Sequence, residues 1–286
     1  MSNAPDLDAA GLPEELSALD QILHRGEANP RTRSGIMTLE LLDTTPDWGR
    51  FRSRFENASR KVLRLRQKVV TPTLPTAAPR WVVDPDFNLD FHLRRVRAPE
   101  PGTLRQVMDL AEVAAQSPLD ISRPLWTATL SEGVENGQAA LMVHLSHAVT
   151  DGVGGVEMFA NLYDLERDPP VQDTAPLPIP SDLSPNDLMR YGINRLPGTV
   201  VGGVRDVLFG AAQALGHAVR DPVSRLGSAI DYTMSGVRVI GPVADPSPLL
   251  RRRSLSSRSE AIDIKFGDLH RAAKAAGGSI NDAYLA

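Results

Sequence analysis

The residues best suited to chemistry lie in one run, Ser146-His147-Ala148-Val149-Thr150-Asp151-Gly152. Imidazole titrates near neutral pH, so His147 is suited to take a proton from a hydroxyl and return it to a leaving group. Asp151 can orient the loop by an ion pair or cap a following helix. Gly152, Gly154 and Gly155 would let backbone approach a ligand closely. The same spacing also fits a plain surface or structural His–Asp pair, and a metal site would need more ligands than this run offers. The glycines do not match a dinucleotide fingerprint, and neither a Walker loop nor a G-x-S-x-G elbow occurs.

Two strands and a helix must hold that run. Pro124 to Leu130 and Gln138 to Leu145 are largely apolar, and Ser131 to Gly137 between them has the Gly and Asn content of a hairpin connection. A helix from about Val153 to Leu165 follows, with Val156, Phe159, Ala160 and Tyr163 on one side. Arg105 to Gln116 has helical spacing and stops before Pro118. Earlier, Trp48, Phe51, Phe55, Ala58, Val62, Leu65 and Val69 recur at steps of three and four, the stripe of one long amphipathic helix. Its other face is basic, with Arg50, Arg52, Arg54, Arg60, Lys61, Arg64, Arg66 and Lys68 against Glu56 alone. This reads either as a solvated face or as a contact for anionic lipid or a phosphorylated cofactor.

From Asp168 to Pro185 the chain has six prolines and reads as a linker. Beyond it, Val200, Val201, Val204, Val207, Leu208, Ala211, Leu215 and Val219 form a Gly-interrupted helical stripe, suited to tight packing or to a membrane interface. Ala261 to Phe266 alternates like a strand, Gly267 to Ala276 reads as a helix, and Ser279 or Asn281 is placed to cap another.

Composition bounds the rest. The chain has 286 residues, a prior of two domains, with ordinary hydrophobic (42%) and charged (23%) shares that exclude a disordered, collagenous or coiled-coil class. Lys+Arg 31 against Asp+Glu 35 gives a net charge of −4, which argues against a chain-wide grip on nucleic acid. Cysteine is absent, which removes disulfides, zinc-thiolate sites and thiol nucleophiles. Met1 to Leu19 carries four acidic residues and no Lys or Arg, unlike a secretory signal, and no apolar run is long enough to span a bilayer. A cytoplasmic location is expected, with the basic helix and the Gly-interrupted stripe as the candidates for peripheral membrane contact.

The run Ser146 to Gly152 resembles the H-H-x-x-x-D-G motif of the chloramphenicol acetyltransferase-like and condensation-domain superfamily, specifically the bacterial wax ester synthase/diacylglycerol acyltransferase family. Trp81 to Asp84, Phe87 to Leu93 and the stretch Pro99-Glu100-Pro101-Gly102 resemble the segments that precede it. Pro118-Leu119-Asp120 through Arg123-Pro124-Leu125-Trp126 resembles the family's P-L-W region, and Gly278 to Ala286 its N-D-V-V-L-A motif. Order and spacing agree from about Leu16 to Ala286.

The resemblance implies an α/β (α+β) fold: a chloramphenicol acetyltransferase-like half with a mixed sheet and flanking helices, a helical crossover, and the start of a second half. The corresponding division is residues 1–165, 166–248 and 249–286, with the second half incomplete, the chain being either a fragment or one completed by a second polypeptide. It implies His147 as general base, deprotonating diacylglycerol or a long-chain alcohol for attack on acyl-CoA, a substrate; no cofactor and no metal are expected. Asp151 and Gly152 are carried over as loop supports, and Asn281 and Asp282 as architectural. Ser146 stands where the family usually has its first His, and Ser cannot supply an imidazole. Partners would be acyl-CoA, the acceptor alcohol and a membrane or lipid-droplet surface. Two other readings stay open: a non-catalytic lipid- or partner-binding remnant, and a condensation-type acyltransferase drawing on a carrier protein.

Overall fold

The computed structural model describes residues 13–150, 152–164, 166, 173–195 and 254–285. Its centre is a mixed four-stranded sheet in the order β1-β6-β5-β4, formed by β1 (Gly35–Leu42), β4 (Leu93–Arg97), β5 (Trp126–Glu132) and β6 (Ala139–Ser146). β6 runs antiparallel to both β1 and β5, while β4 joins parallel to β5. The expected hairpin is present, with Gly133, Asn136 and Gly137 at positive φ, a region where Gly and Asn meet the smallest steric cost.

Side chains alternate across a strand, so the sheet has two faces and both are covered. On one, Ala139, Leu141, Val143 and Leu145 of β6 and Trp126, Ala128 and Leu130 of β5 pack with Phe51, Phe55 and Ala58 of α2 (Trp48–Lys61) and with Met158 and Leu162 of α5 (Gly152–Leu162). On the other, Ala140 meets Val107 of α4 (Leu104–Gln116). The result is a three-layer α/β arrangement, as the sequence led one to expect. The α4 boundary follows from local chemistry: Thr103 and Gln106 form a reciprocal capping box, and Pro118 lies just past the end. A short α3 (Leu89–His92) leads directly into β4.

A second, two-stranded sheet of β2 (Gln67–Val70) and β3 (Arg80–Val83) is antiparallel. Leu183 and Leu188, at and within α6 (Pro185–Arg195), pack on its Val70 and Val82. Trp81 packs with Leu16 and Ala148, beside Leu23 of α1 (Ala18–Gly26).

Four expectations need correction. The long helix from Trp48 ends at Lys61: Val62 turns to φ −95°, ψ 90°, a 3-10 turn spans Leu63–Arg66, and Val69 lies in β2 opposite Trp81. The stripe continues because Leu65 is still buried by the turn, not because the helix does. The basic face is also not a free one. Arg52 pairs with Asp90, Arg50 and Arg54 with Asp164, Arg60 and Arg66 with Glu56, Arg64 with Glu14, and Lys68 with Asp84. Most of the charge along this segment is therefore met in space by carboxylates, Glu14, Asp84, Asp90 and Asp164 from other segments and Glu56 from α2 itself.

In α5 Met158 and Leu162 are buried and the expected Phe159 packs against the same core, while Val156 is exposed. Ala261 to Phe266 forms no strand; Ile262, Ile264 and Phe266 are exposed, and among the described residues no strand edge pairs with them. Alternation alone does not make a strand without a partner's backbone groups. The expected helices after it are present as α7 (Phe266–Ala275) and α8 (Ile280–Leu285). The linker expectation from Asp168 to Pro185 agrees with the described part, 173–184, which has no regular element, although Pro185 begins α6 rather than ending the linker. The stripe from Val200 to Val219 lies outside the described residues.

Two buried histidines contribute to the response to acid. His92 is held at about 4, below its ordinary 6.5, mainly by burial against a partly offsetting bond to the Trp126 carbonyl. His144 is also held at about 4, by burial and by the charges of Arg33 and Arg94. Between pH 6.5 and 4 the unfolded imidazole takes the proton and the folded one does not, so stability falls on acidification through that window and is unaffected above it. The expected slope is about 1.4 kcal/mol per pH unit for each imidazole, read from urea midpoints across the window, and His144→Gln should remove its share. A midpoint that stays flat from neutral pH to 4.5 would contradict this.

A second outcome concerns Gly35, opposite Ser146 in the β1–β6 register. A Cβ there would sit 2.7 Å from His144 Nε2. Gly35→Ala should cost about 1–3 kcal/mol of stability, and the cost should shrink in a His144→Ala background, as a double-mutant cycle would measure. Additive effects of the two substitutions would show that no such contact exists.

Candidate active site

The end of β6 sets up the site. Ser146 is the last strand residue and is fully buried, with its N–H bonded to the Leu125 carbonyl at 3.0 Å. His147 is exposed, and its N–H donates to the Ser34 carbonyl at 3.1 Å, just beyond the start of β1. Ala148 and Val149 are each 5% exposed, and Val149 N–H closes a turn onto the Ser146 carbonyl at 2.9 Å. One exposed imidazole therefore stands between buried neighbours. Among the described residues no hydrogen bond to its ring is present.

Ser146 faces the other way. Its hydroxyl donates to Glu27 Oε1 at 2.7 Å and accepts the Ala148 N–H at 3.2 Å. Glu27 caps the C-terminus of α1, is 2% exposed, and has Arg33 Nε at 3.9 Å from its second oxygen. Arg33 in turn donates to the carbonyls of Glu27 (3.3 Å) and Gln116 (3.0 Å), joining α1 to the end of α4. Sequence reasoning missed Glu27 and Arg33, which lie well over a hundred residues from the motif and carry no local pattern.

The other expected residues fall as follows. Asp151 lies outside the described residues. Gly152 is the first residue of α5. Asn281 and Asp282 are exposed at the start of α8, where Asp282 accepts the Ser279 N–H and hydroxyl, both at 2.7 Å, while Ser279 caps the Asp282 N–H. Those bonds hold the Asp282 carboxyl below the usual carboxylate range. Residues Ser259 and Glu260, ahead of α7, contact Arg105 and Glu112 of α4. Among the described residues no group of three His, Asp or Glu is placed to hold a metal ion, and no helix is long and apolar enough to cross a membrane.

A groove of about 470 Å³ begins beside the turn, where Ala148, Val149 and Thr150 form part of its wall. Val62, Leu65 and Met158 supply apolar lining from α2's end and α5. Its volume is in the usual ligand range, and Ser17, Asp20 and Arg64 share the wall with the apolar groups. His147 is next in sequence to Ala148 of this wall and is not itself part of the lining.

The family model described as the wax ester synthase/diacylglycerol acyltransferase catalytic domain matches residues 7–284. A relative in Mycobacterium tuberculosis strain H37Rv, named as a putative diacylglycerol O-acyltransferase, is 72% identical over 275 residues, which is 96% of this chain and 56% of the relative. Another protein of that strain with the same designation is 32% identical over 273 residues, covering 87% of this chain and 52% of its own length. The chain thus spans about half the length of these curated relatives. Among solved structures, the wax ester synthase/diacylglycerol acyltransferase from Marinobacter aquaeolei VT8 matches with a TM-score of 0.44 at 20% identity, over 72% of this chain and 48% of that one. On the family match and the 72% identical relative, this chain belongs to the wax ester synthase/diacylglycerol acyltransferase family.

Proposed function

We propose that this chain provides the general base of an acyl-CoA-dependent O-acyltransferase. His147 takes the proton from the hydroxyl of a diacylglycerol or long-chain alcohol as that oxygen attacks the thioester carbonyl of acyl-CoA. Collapse of the tetrahedral intermediate forms the ester, triacylglycerol or wax ester, and breaks the carbon–sulfur bond, and the imidazolium returns its proton to the departing CoA sulfur. No covalent bond to the protein is needed. The observation that carries the reading is His147 itself, an exposed imidazole at the end of a buried strand with its backbone fixed on both sides. The groove beside the turn, walled by Val62, Leu65, Val149 and Met158 together with Asp20 and Arg64, has room for an amphipathic lipid.

In this reading, residues 1–165 form the acyltransferase-like domain, 166–248 the crossover and 249–286 the opening of the next unit. Ser146 acts on the loop's backbone and not on the substrate, since its hydroxyl is buried and engaged with Glu27. Asp151 and Gly152 shape the same loop, and Asn281 and Asp282 are architectural.

Transfer of a radiolabelled acyl group from acyl-CoA to diacylglycerol and to hexadecanol tests the reading, in this chain and with the matching substitutions in the 72% identical relative. His147→Ala should lower the rate by about 10²- to 10⁴-fold, the usual worth of general-base assistance, and Ser146→Ala by clearly less. Equal losses, or full activity in His147→Ala, would overturn the assignment. Transfer from an acylated carrier protein but not from acyl-CoA would replace the donor.

A further inference from the structure

We propose that Glu27 is a positioning residue for His147, acting through the Ser146 hydroxyl; the inference rests on the assignment of His147 as base. A backbone conformation at one residue is set by the two peptide groups that flank its Cα. At His147 both are pinned. The preceding peptide is held by His147 N–H on the Ser34 carbonyl at 3.1 Å, and the following one by Ala148 N–H on the Ser146 hydroxyl at 3.2 Å.

The second of these depends on Glu27. A Ser hydroxyl has one proton and two lone pairs and rotates to suit its surroundings. A carboxylate only accepts, so the 2.7 Å bond to Glu27 Oε1 commits the Ser146 proton to Glu27 and leaves its lone pairs for the Ala148 N–H. Without Glu27 the hydroxyl proton has lost its acceptor, and the Ser146 Oγ is free to rotate toward another one and away from the Ala148 amide. Ser146 and Glu27 are 0% and 2% exposed, so water has little access to take either place.

Glu27 is itself well fixed. Its N–H donates to the His24 carbonyl at the end of α1, its carbonyl accepts from Arg33, and its carboxylate lies 3.9 Å from the same guanidinium. A carboxylate this buried, with one hydroxyl bond and one distant cation, is costly to keep, and loop placement accounts for that cost. Charged and titratable groups near it include Arg33, His24 at the end of α1, and His144, which feels the Arg33 charge.

The test is amide hydrogen exchange at Ala148 together with acyl transfer, for the wild type, Glu27→Gln, Glu27→Ala and Ser146→Ala. Gln retains an acceptor oxygen, so Glu27→Gln should keep Ala148 protected and most of the activity. Glu27→Ala and Ser146→Ala should each lower Ala148 protection by about tenfold or more, while the amides of β5 and β6 keep theirs, and should lower kcat with KM little changed. If Glu27→Ala does not fold, Glu27→Gln and Ser146→Ala carry the comparison. Unchanged Ala148 protection in Ser146→Ala and Glu27→Ala, or loosening shared equally by the whole β5–β6 ladder, overturns the inference. Failure of the base assignment is separate, because it is read from His147→Ala activity and not from exchange at Ala148.

Discussion

The structure depends on the burial of β6. All eight of its residues are buried, it is paired along its length with β1 on one side and β5 on the other, and helices cover both of its faces. No water can substitute for its backbone partners, so a shift of register would leave donors and acceptors unmet and turn the apolar set to the wrong face. Alternation then decides the end of the strand. Leu145 belongs to the α2–α5 side, Ser146 to the other, and the chain leaves the sheet as His147 reaches solvent.

Polar groups are buried around that strand at some cost to stability. His92 lies between Phe87 and Trp126, with centroid separations of 5.1 and 4.6 Å, and bonds the Trp126 carbonyl at 2.7 Å. Trp126 in turn donates its indole N–H to the Leu65 carbonyl, tying the turn after α2 to β5. These contacts set where α2 ends and so place Val62 and Leu65 along the groove beside the His147 turn. The ion pairs of the basic segment work in the same direction. Exposed pairs are worth little each, but Lys68 with the buried Asp84 and Arg66 with Glu56 anchor β2 and the 3-10 turn at defined positions.

Local signals made much of this legible. The two strands around a Gly- and Asn-rich connection, the helix ending before Pro118, and the strand leading into His147 are all encoded by nearby residues. What escaped were features settled by distant partners. The stripe from Trp48 to Val69 is periodic throughout, yet Val69 finds Trp81 and becomes strand. The arginines that looked free are neutralised by Asp90, Asp164 and Glu14, none of them close in sequence. Ile262 and Ile264 alternate as a strand would, but pairing is a tertiary property. Glu27 illustrates the limit best, because a Glu at a helix end has no pattern that ties it to a serine more than a hundred residues later.

The central claim is that β6 delivers one accessible imidazole to the substrate while the others near it are withheld. Diethyl pyrocarbonate modification, mapped by mass spectrometry with acyl-transfer activity followed in parallel, tests it most directly. The account predicts that His147 is carbethoxylated well before the buried His92 and His144, that activity falls with it, and that acyl-CoA and acceptor slow the modification. Modification of His147 no faster than that of His92, or full modification with transfer unimpaired, would contradict it.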